Sequence, residues 1–136
     1  MKLSEAPALV RTFCLNHSGW LIGGAAKALI NKEAISSIKD WDVMIPFSEW
    51  HQACLLIPVT AFSNKFGGWK IVSKGRETKI DVWPDSLDKC VTNYPETGYF
   101  LHPLSGKYFI TGHVSNVQKE ISNEGQENRV FGEESI

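Results

Sequence analysis

Two acidic residues stand inside an otherwise apolar, strand-like stretch, residues 40–45, and this limits the ways in which the chain can fold. Residues i and i+2 of a β-strand point to the same face of a sheet, so Asp40 and Asp42 are predicted to project together. Trp41 and Val43 are then predicted to face the core on the opposite side. Neighbouring carboxylates repel each other and lose hydration on burial, so this arrangement favours a bound divalent cation.

A third carboxylate, Asp81, lies between apolar residues on a later predicted strand, residues 78–83. If that strand lies beside the first, three carboxylates can hold two ions about 4 Å apart. Mg²⁺, or Mn²⁺, suits such a site, because it prefers oxygen ligands and is often held by carboxylates together with substrate phosphates. Asp85 and Asp88 are alternatives for the third ligand, but they follow Pro84 in a predicted turn, and Asp81 is preferred.

A glycine pair, Gly23-Gly24, separates the short apolar run 20–22 from the helix-forming residues 25–30. Glycine has no Cβ, so the backbone at such a turn can approach a phosphate closely. The start of the following helix offers free N–H groups and a partial positive charge to the same anion. Lys27, in the first predicted turn, is unfavourable at the positive end of the helix dipole unless it reaches an anionic ligand.

Cations are concentrated just before Asp81, where a single acid, Glu77, stands among Lys65, Lys70, Lys74, Arg76 and Lys79. The segment is either the solvated surface of a hairpin or a basic rim for a triphosphate or a nucleic-acid backbone. Lys79 and Trp83 share a strand face with Asp81 and are the nearest candidates for such contacts. With five tryptophans in the chain, packing is a better interpretation of Trp83 than base stacking.

The rest of the pattern predicts one α+β domain, a mixed sheet with packed helices, over residues 1–117. Helices are predicted after the caps Ser4 and Ser48, the second ending before Pro58. The core face of the first helix is marked by apolar residues at helical spacing, Ala6, Leu9, Val10, Phe13 and Cys14. Residues 62–68 are predicted to be a loop, and two hairpins follow, formed by residues 69–73 with 78–83 and residues 99–101 with 108–111.

The end of the chain differs in composition. Residues 118–136 carry five acidic and two basic residues, a charge of −3, whereas residues 1–117 carry ten acidic and twelve basic residues, a charge of +2. This predicts a flexible acidic tail, and the spacing of Val114, Val117 and Ile121 predicts one short helix that overlaps its start.

Composition disfavours several classes of protein. The formal net charge of −1 argues against a globally basic nucleic-acid-binding domain. No apolar stretch approaches the about 20 residues that cross a bilayer, and no basic-then-apolar leader is recognised, so a membrane protein is not expected. The cysteines are odd in number and widely spaced, which argues against a disulfide scaffold. A cytoplasmic protein with reduced, mostly buried thiols is therefore expected.

A glycine pair after a strand, an Asp-x-Asp strand and a later single Asp together resemble the signature of the DNA polymerase β-like nucleotidyltransferase superfamily. Residues 23–29, Gly-Gly-Ala-Ala-Lys-Ala-Leu, and residues 39–43, Lys-Asp-Trp-Asp-Val, look most like the head domain of tRNA CCA-adding enzymes and bacterial poly(A) polymerases. The resemblance covers about residues 19–84. An Arg-Asp pair is usual in that family where this chain has Lys27-Ala28.

The resemblance implies a minimal polymerase β-like fold that transfers a nucleoside monophosphate from an NTP to a hydroxyl and releases pyrophosphate. It implies that Asp40 and Asp42 bind Mg²⁺ or Mn²⁺, and that Asp81 completes the site and helps to activate the acceptor. The nucleotide-binding residues predicted from the motif and the basic segment are Gly23, Gly24, Lys27 and Lys79.

The acceptor is not implied by the resemblance. About 50 residues follow Asp81, too few for the helical domains that bind the base and the RNA in that family. RNA, a protein side chain and a small molecule therefore all stay open as acceptors. Two alternatives also stay open: a catalytically inactive module of the same fold that binds a nucleotide, an RNA or a protein, and a minimal transferase that acts with a partner chain or as a homo-oligomer.

Overall fold

The computed structural model describes residues 3–73, 75, 77–92 and 98–111, which form an α+β fold around one seven-stranded mixed sheet. The strands are β1 Trp20–Ile22, β2 Asp40–Pro46, β3 Phe62–Ser63, β4 Trp69–Val72, β5 Lys79–Asp85, β6 Gly98–His102 and β7 Lys107–Thr111. The α-helices are α1 Ala8–Asn16, α2 Gly24–Ile30, α3 Phe47–Ala53 and α4 Leu87–Thr92, and short 3-10 turns occupy Leu3–Glu5, Ile35–Ser37 and Cys54–Leu56. The α+β class expected from the sequence is confirmed.

The strand order is β3-β4-β5-β2-β1-β6-β7. The central strands β2 and β5 are parallel, and every other neighbouring pair among these seven strands is antiparallel. A parallel pair needs a crossover connection, and here α3 lies in the connection and packs against both strands. The β4–β5 and β6–β7 hairpins confirm the two strand pairs predicted from the sequence.

Both faces of the sheet carry an apolar core, because side chains alternate along each strand. On one face, Trp41, Val43 and Ile45 of β2 pack beneath α1, α2 and α3. On the other face, Met44 and Trp83 pack with residues of β1, β6, β7 and α4. The predicted alternation of β2 is therefore confirmed, since Trp41 and Val43 are buried and Asp40 and Asp42 occupy the opposite face.

The predicted helix caps Ser4 and Ser48 are wrong. Helix α1 begins after Pro7 and α3 begins after Pro46, and neither cap residue makes a side-chain hydrogen bond to its helix. Proline suits this position because its ring restricts φ and it lacks an N–H group that would need a partner. Ser4 lies in the preceding 3-10 turn and Ser48 lies inside α3.

Two further expectations concern less regular segments. Phe62 and Ser63, predicted to be in a loop, pair with β4 as the edge strand β3. The predicted helix at Val114 and the acidic tail 118–136 lie outside the described residues, as does the end of the domain predicted to reach residue 117. None of the helices in the described part of the chain is long and apolar enough to cross a membrane.

Candidate functional site

The parallel pairing of β2 with β5 brings the three motif aspartates to one face of the sheet. Asp42 lies directly opposite Asp81, and Asp40 lies opposite Lys79. Asp40 is exposed, Asp42 is partly buried and Asp81 is only 8% exposed. Both alternatives are remote from Asp42, because Asp85 is paired with Pro46 at the other end of β5 and Asp88 lies beyond it in α4.

The glycine turn passes beside the same carboxylates. Gly23 follows β1 with φ +75°, a left-handed conformation that favours glycine. A Cβ at this position would lie 3.7 Å from Oδ2 of Asp42, which shows how close the turn comes to the acid. The Gly23 N–H donates to the carbonyl of Tyr99 at 2.9 Å, and its own carbonyl accepts from the Lys27 N–H at 2.9 Å. The turn is thus held between β6 and α2.

An open cleft of about 600 Å³ adjoins the carboxylates. Asp40 and Asp42 contribute to one wall, and Gly24 and Lys27 of α2 contribute to another. The Lys27 ammonium lies 5.8 Å from the centroid of the Tyr99 ring, a cation–π contact that holds a positive charge near the glycine turn. The volume is within the usual range of small-molecule pockets, about 300–1,000 Å³.

The carboxylates repel each other as the sequence pattern predicted. Burial and, after it, the charges of Asp81 and Asp40 together raise the pKa of Asp42 to about 6, while the charge of Lys70 acts in the opposite direction. Burial disfavours the ionised form because it removes hydration, and like charges disfavour it by repulsion. A divalent cation among these groups would reverse both effects by favouring the ionised form.

Asp81 is held by two side chains for which the sequence contains no motif. Lys70 lies opposite Asp81 on β4, with its Nζ 3.1 Å from Oδ2. Asn64, from the turn between β3 and β4, donates from Nδ2 to Oδ1 of Asp81 at 3.1 Å. Both oxygens of the third carboxylate are therefore engaged by this chain's own side chains.

The turn that carries Asn64 is closed by hydrogen bonds of its own. Oδ1 of Asn64 accepts from the N–H groups of Phe66 at 3.0 Å and Gly68 at 2.9 Å, and Nδ2 also donates to the carbonyl of Trp69 at 3.0 Å. Phe66 in turn packs on the buried Trp83, with ring centroids 5.0 Å apart. The packing interpretation of Trp83 is confirmed, since it belongs to the smaller core.

The candidate metal ligands fall into two groups. Among residues 3–73, 75, 77–92 and 98–111, no three His, Cys, Asp or Glu side chains are arranged as a ready-made metal-binding group. Asp40 and Asp42 face the open cleft, whereas Asp81 faces Lys70 and Asn64. Two carboxylates beside a cleft fit Mg²⁺, which commonly takes its remaining ligands from water and substrate phosphates.

The predicted nucleotide-binding residues lie on both sides of β2. Gly23, Gly24 and Lys27 lie at the β1–α2 turn and in α2, and Lys79 is the exposed first residue of β5, opposite Asp40. Positive charge therefore flanks the carboxylate pair. Lys27 is the fourth residue of the seven-residue helix α2.

The two glycines make different demands, and alanine substitutions will separate them. Gly23→Ala is expected to lower the free energy of unfolding by about 1–3 kcal/mol, because φ +75° with ψ −137° is strained for alanine. A Cβ on Gly24 has no atom within 4 Å, so Gly24→Ala should leave stability unchanged. Gly24→Ala should instead weaken nucleotide binding, because its methyl group projects from a wall of the cleft. Thermal unfolding and titration calorimetry with ATP and Mg²⁺ measure the two effects; equal stability losses would contradict this assignment.

Comparison with known proteins does not place the chain in a family: no family model, no curated protein and no solved structure matches it.

Proposed function

We propose that this chain is a metal-dependent nucleotidyltransferase, which transfers a nucleoside monophosphate from an NTP to a hydroxyl and releases pyrophosphate. The observation that carries the proposal is the β2–β5 register, which sets Asp42 opposite Asp81 and leaves Asp40 on the same face. The Gly23 turn beside Asp42 and the adjoining cleft add a place for a triphosphate. Burial and the charges of Asp81 and Asp40 raise the pKa of Asp42, so its ionised form costs free energy that a bound cation would offset.

Each residue of the site has a defined part in this proposal. Asp40 and Asp42 hold Mg²⁺ or Mn²⁺, which supplies charge neutralisation to the triphosphate. The Gly23-Gly24 backbone leaves room for phosphate oxygens, because neither residue has a Cβ. Lys27, on the α2 side of the cleft, contributes positive charge toward the phosphates.

The remaining residues act on the β5 side. Lys79 lies opposite Asp40 and places a second cation beside the carboxylate pair. Asp81 completes the acidic face, and its proposed part is to help to activate an acceptor hydroxyl of RNA, a protein or a small molecule. A partner chain or a second copy of this chain is proposed to help to present that acceptor.

The proposed compartment is the cytoplasm, where nucleoside triphosphates are supplied and thiols stay reduced. Cys14, Cys54 and Cys90 are free thiols in this structure, and Cys14 and Cys90 are buried. Burial raises the pKa of the Cys90 thiol to about 12, with Asp85 adding to the shift. A neutral, buried thiol is unreactive, so Cys14 and Cys90 are assigned to packing.

Label transfer tests the proposal directly. The protein is incubated with each α-³²P-labelled NTP, Mg²⁺ or Mn²⁺, and either RNA or a cell extract as acceptor. We expect metal-dependent transfer from at least one NTP, and Asp40→Asn should reduce it at least about tenfold by weakening metal binding. Asp88→Asn changes an exposed carboxylate in α4 and is the matched control. Label transfer that survives removal of the metal would contradict the proposal. The absence of label transfer with every NTP would also contradict it.

A catalytically inactive nucleotide-binding module is the second candidate. It is favoured by the ion pair between Lys70 and Asp81, which neutralises a carboxylate that the enzyme is expected to use. Calorimetry with ATP separates the candidates, because the enzyme should need Mg²⁺ for tight binding. ATP binding of equal affinity with and without Mg²⁺, together with no label transfer, would favour the module.

A further inference from the structure

We propose that Lys70 is a built-in counter-ion for Asp81, so that the site takes one divalent ion, at Asp40 and Asp42, instead of two. The inference rests on the proposed function, because it concerns the ions that a nucleotidyltransferase site would use. It assigns to Lys70 the positive charge that a second ion would otherwise supply at Asp81.

The first support is the position of Lys70 in the sheet. It lies directly opposite Asp81 in the antiparallel β4–β5 pair, and its Nζ is 3.1 Å from Oδ2. The Asp81 side chain is 11% exposed and the Lys70 side chain is 41% exposed. The carboxylate is therefore shielded from water while the lysine approaches it from the solvent side, and a sheltered charge needs a partner of this kind.

The second support is that Asn64 holds the other oxygen of Asp81. Its Oδ1 accepts from the N–H groups of Phe66 and Gly68, which leaves Nδ2 to face Oδ1 of Asp81. An amide nitrogen is a donor and cannot ligate a cation. The Asn64 side chain therefore presents a donor, and not a metal ligand, to the third carboxylate.

The third support is the competition between an ammonium group and a metal ion for one oxygen. A Mg²⁺ ion lies about 2.0–2.1 Å from its ligand oxygens, so an ion on Oδ2 of Asp81 would be a near neighbour of the Lys70 Nζ. Two cations repel strongly in such a partly buried position. Asp40 and Asp42 remain, and together they carry the charge that a single divalent ion balances.

Counting bound Mn²⁺ tests the inference without measuring activity. The full chain is titrated with Mn²⁺, alone and with a non-hydrolysable ATP analogue, and free Mn²⁺ is followed by electron paramagnetic resonance against a protein-free titration of the analogue, which itself binds Mn²⁺. We expect one ion per wild-type chain and none tightly bound to Asp42→Asn. Removal of the ammonium in Lys70→Met or Lys70→Gln should raise the count to two, and Lys70→Arg should keep it at one. Lys89→Met, which changes an exposed lysine in α4, is the matched control and should also keep one.

Each result has a distinct meaning. Two ions on the wild-type chain would overturn the inference and leave the proposed function standing. One ion on both the wild type and the folded Lys70→Gln variant would remove Lys70 from this role. No bound Mn²⁺ on the folded wild-type chain, with or without the analogue, would overturn the proposed function itself. The wild-type count decides between one ion and two even if both uncharged variants fail to fold.

Discussion

Asparagine in place of Asp42 is expected to make the protein more stable and, at the same time, to abolish its proposed activity. The pKa of Asp42 is raised from 3.8 to about 6 by burial and by the charges of Asp81 and Asp40. At pH 7 the folded protein therefore carries an ionised group that costs free energy. One pKa unit corresponds to about 1.4 kcal/mol, so Asp42→Asn should raise the free energy of unfolding by up to about 3 kcal/mol at pH 7.

The pH dependence of this gain has a defined sign. The folded-state pKa is higher than the unfolded-state pKa, so protonation of Asp42 favours the folded state. The stability that the wild type gains from protonated Asp42 is complete below about pH 4 and is lost as the pH rises through about 6. Urea unfolding of the wild type and Asp42→Asn should therefore differ most at pH 7 and converge near pH 4. Asp88→Asn should show no such convergence, and an equal difference at both pH values would contradict the assigned cause.

The same substitution should remove function. If Asp42 ligates the ion, its loss should reduce label transfer by at least about 100-fold. Mg²⁺ should raise the unfolding midpoint of the wild type at pH 7 and leave that of Asp42→Asn unchanged, since a ligand stabilises only the state that binds it. A destabilised Asp42→Asn would instead indicate that the carboxylate has a structural partner.

Gly68→Ala is expected to cost at least about 3 kcal/mol of the free energy of unfolding. A Cβ on Gly68 would lie 1.9 Å from the Val82 carbonyl oxygen and 2.7 Å from the Trp83 Cα, so the β3–β4 turn would have to move away from β5. Backbone atoms of a central strand cannot yield as a flexible side chain can. Urea unfolding measures the loss, and amide hydrogen exchange should show it concentrated at the β4–β5 edge.

The neighbouring glycine provides the control for Gly68→Ala. Gly67 has φ +83° but open space around its Cβ position. Gly67→Ala should therefore lower the free energy of unfolding by about 1–2 kcal/mol, because alanine is strained in a left-handed conformation. Asn64 accepts from the Gly68 N–H and holds Asp81, so displacement of Gly68 should also loosen the carboxylate. Equal stability losses for Gly67→Ala and Gly68→Ala would contradict this prediction. They would show that the protein removes the contact between the new Cβ and β5 by a shift that costs little free energy.

Much of this site could be anticipated from local pattern. Alternation along residues 40–45 correctly assigned Asp42 and Trp41 to opposite faces, because that assignment needs only the geometry of one strand. Helical spacing likewise identified the buried residues Val10 and Phe13 in α1. The predicted caps Ser4 and Ser48 were wrong because a preceding proline begins each helix without a side-chain cap.

Lys70 shows where local pattern stopped being sufficient. The predicted hairpin of residues 69–73 with 78–83 left the register open, and the observed register sets Lys70 opposite Asp81, two residues from Lys79. A change of register by two residues keeps the side chain on the same face and replaces a cation by an anion as its neighbour. Asn64 had no sequence signal at all, because its contact with Asp81 depends on how the β3–β4 turn folds back over β5.

Strand periodicity and residue chemistry were thus enough to show which side chains share a face and that the three aspartates would be costly to bring together. Those properties depend on a few consecutive residues and on charge. Which strands lie side by side, and which cation meets which acid, came only from long-range pairing. The β2–β5 register joins residues about forty positions apart, and its free energy comes from the burial of both sheet faces under α1 to α4, which no single segment encodes.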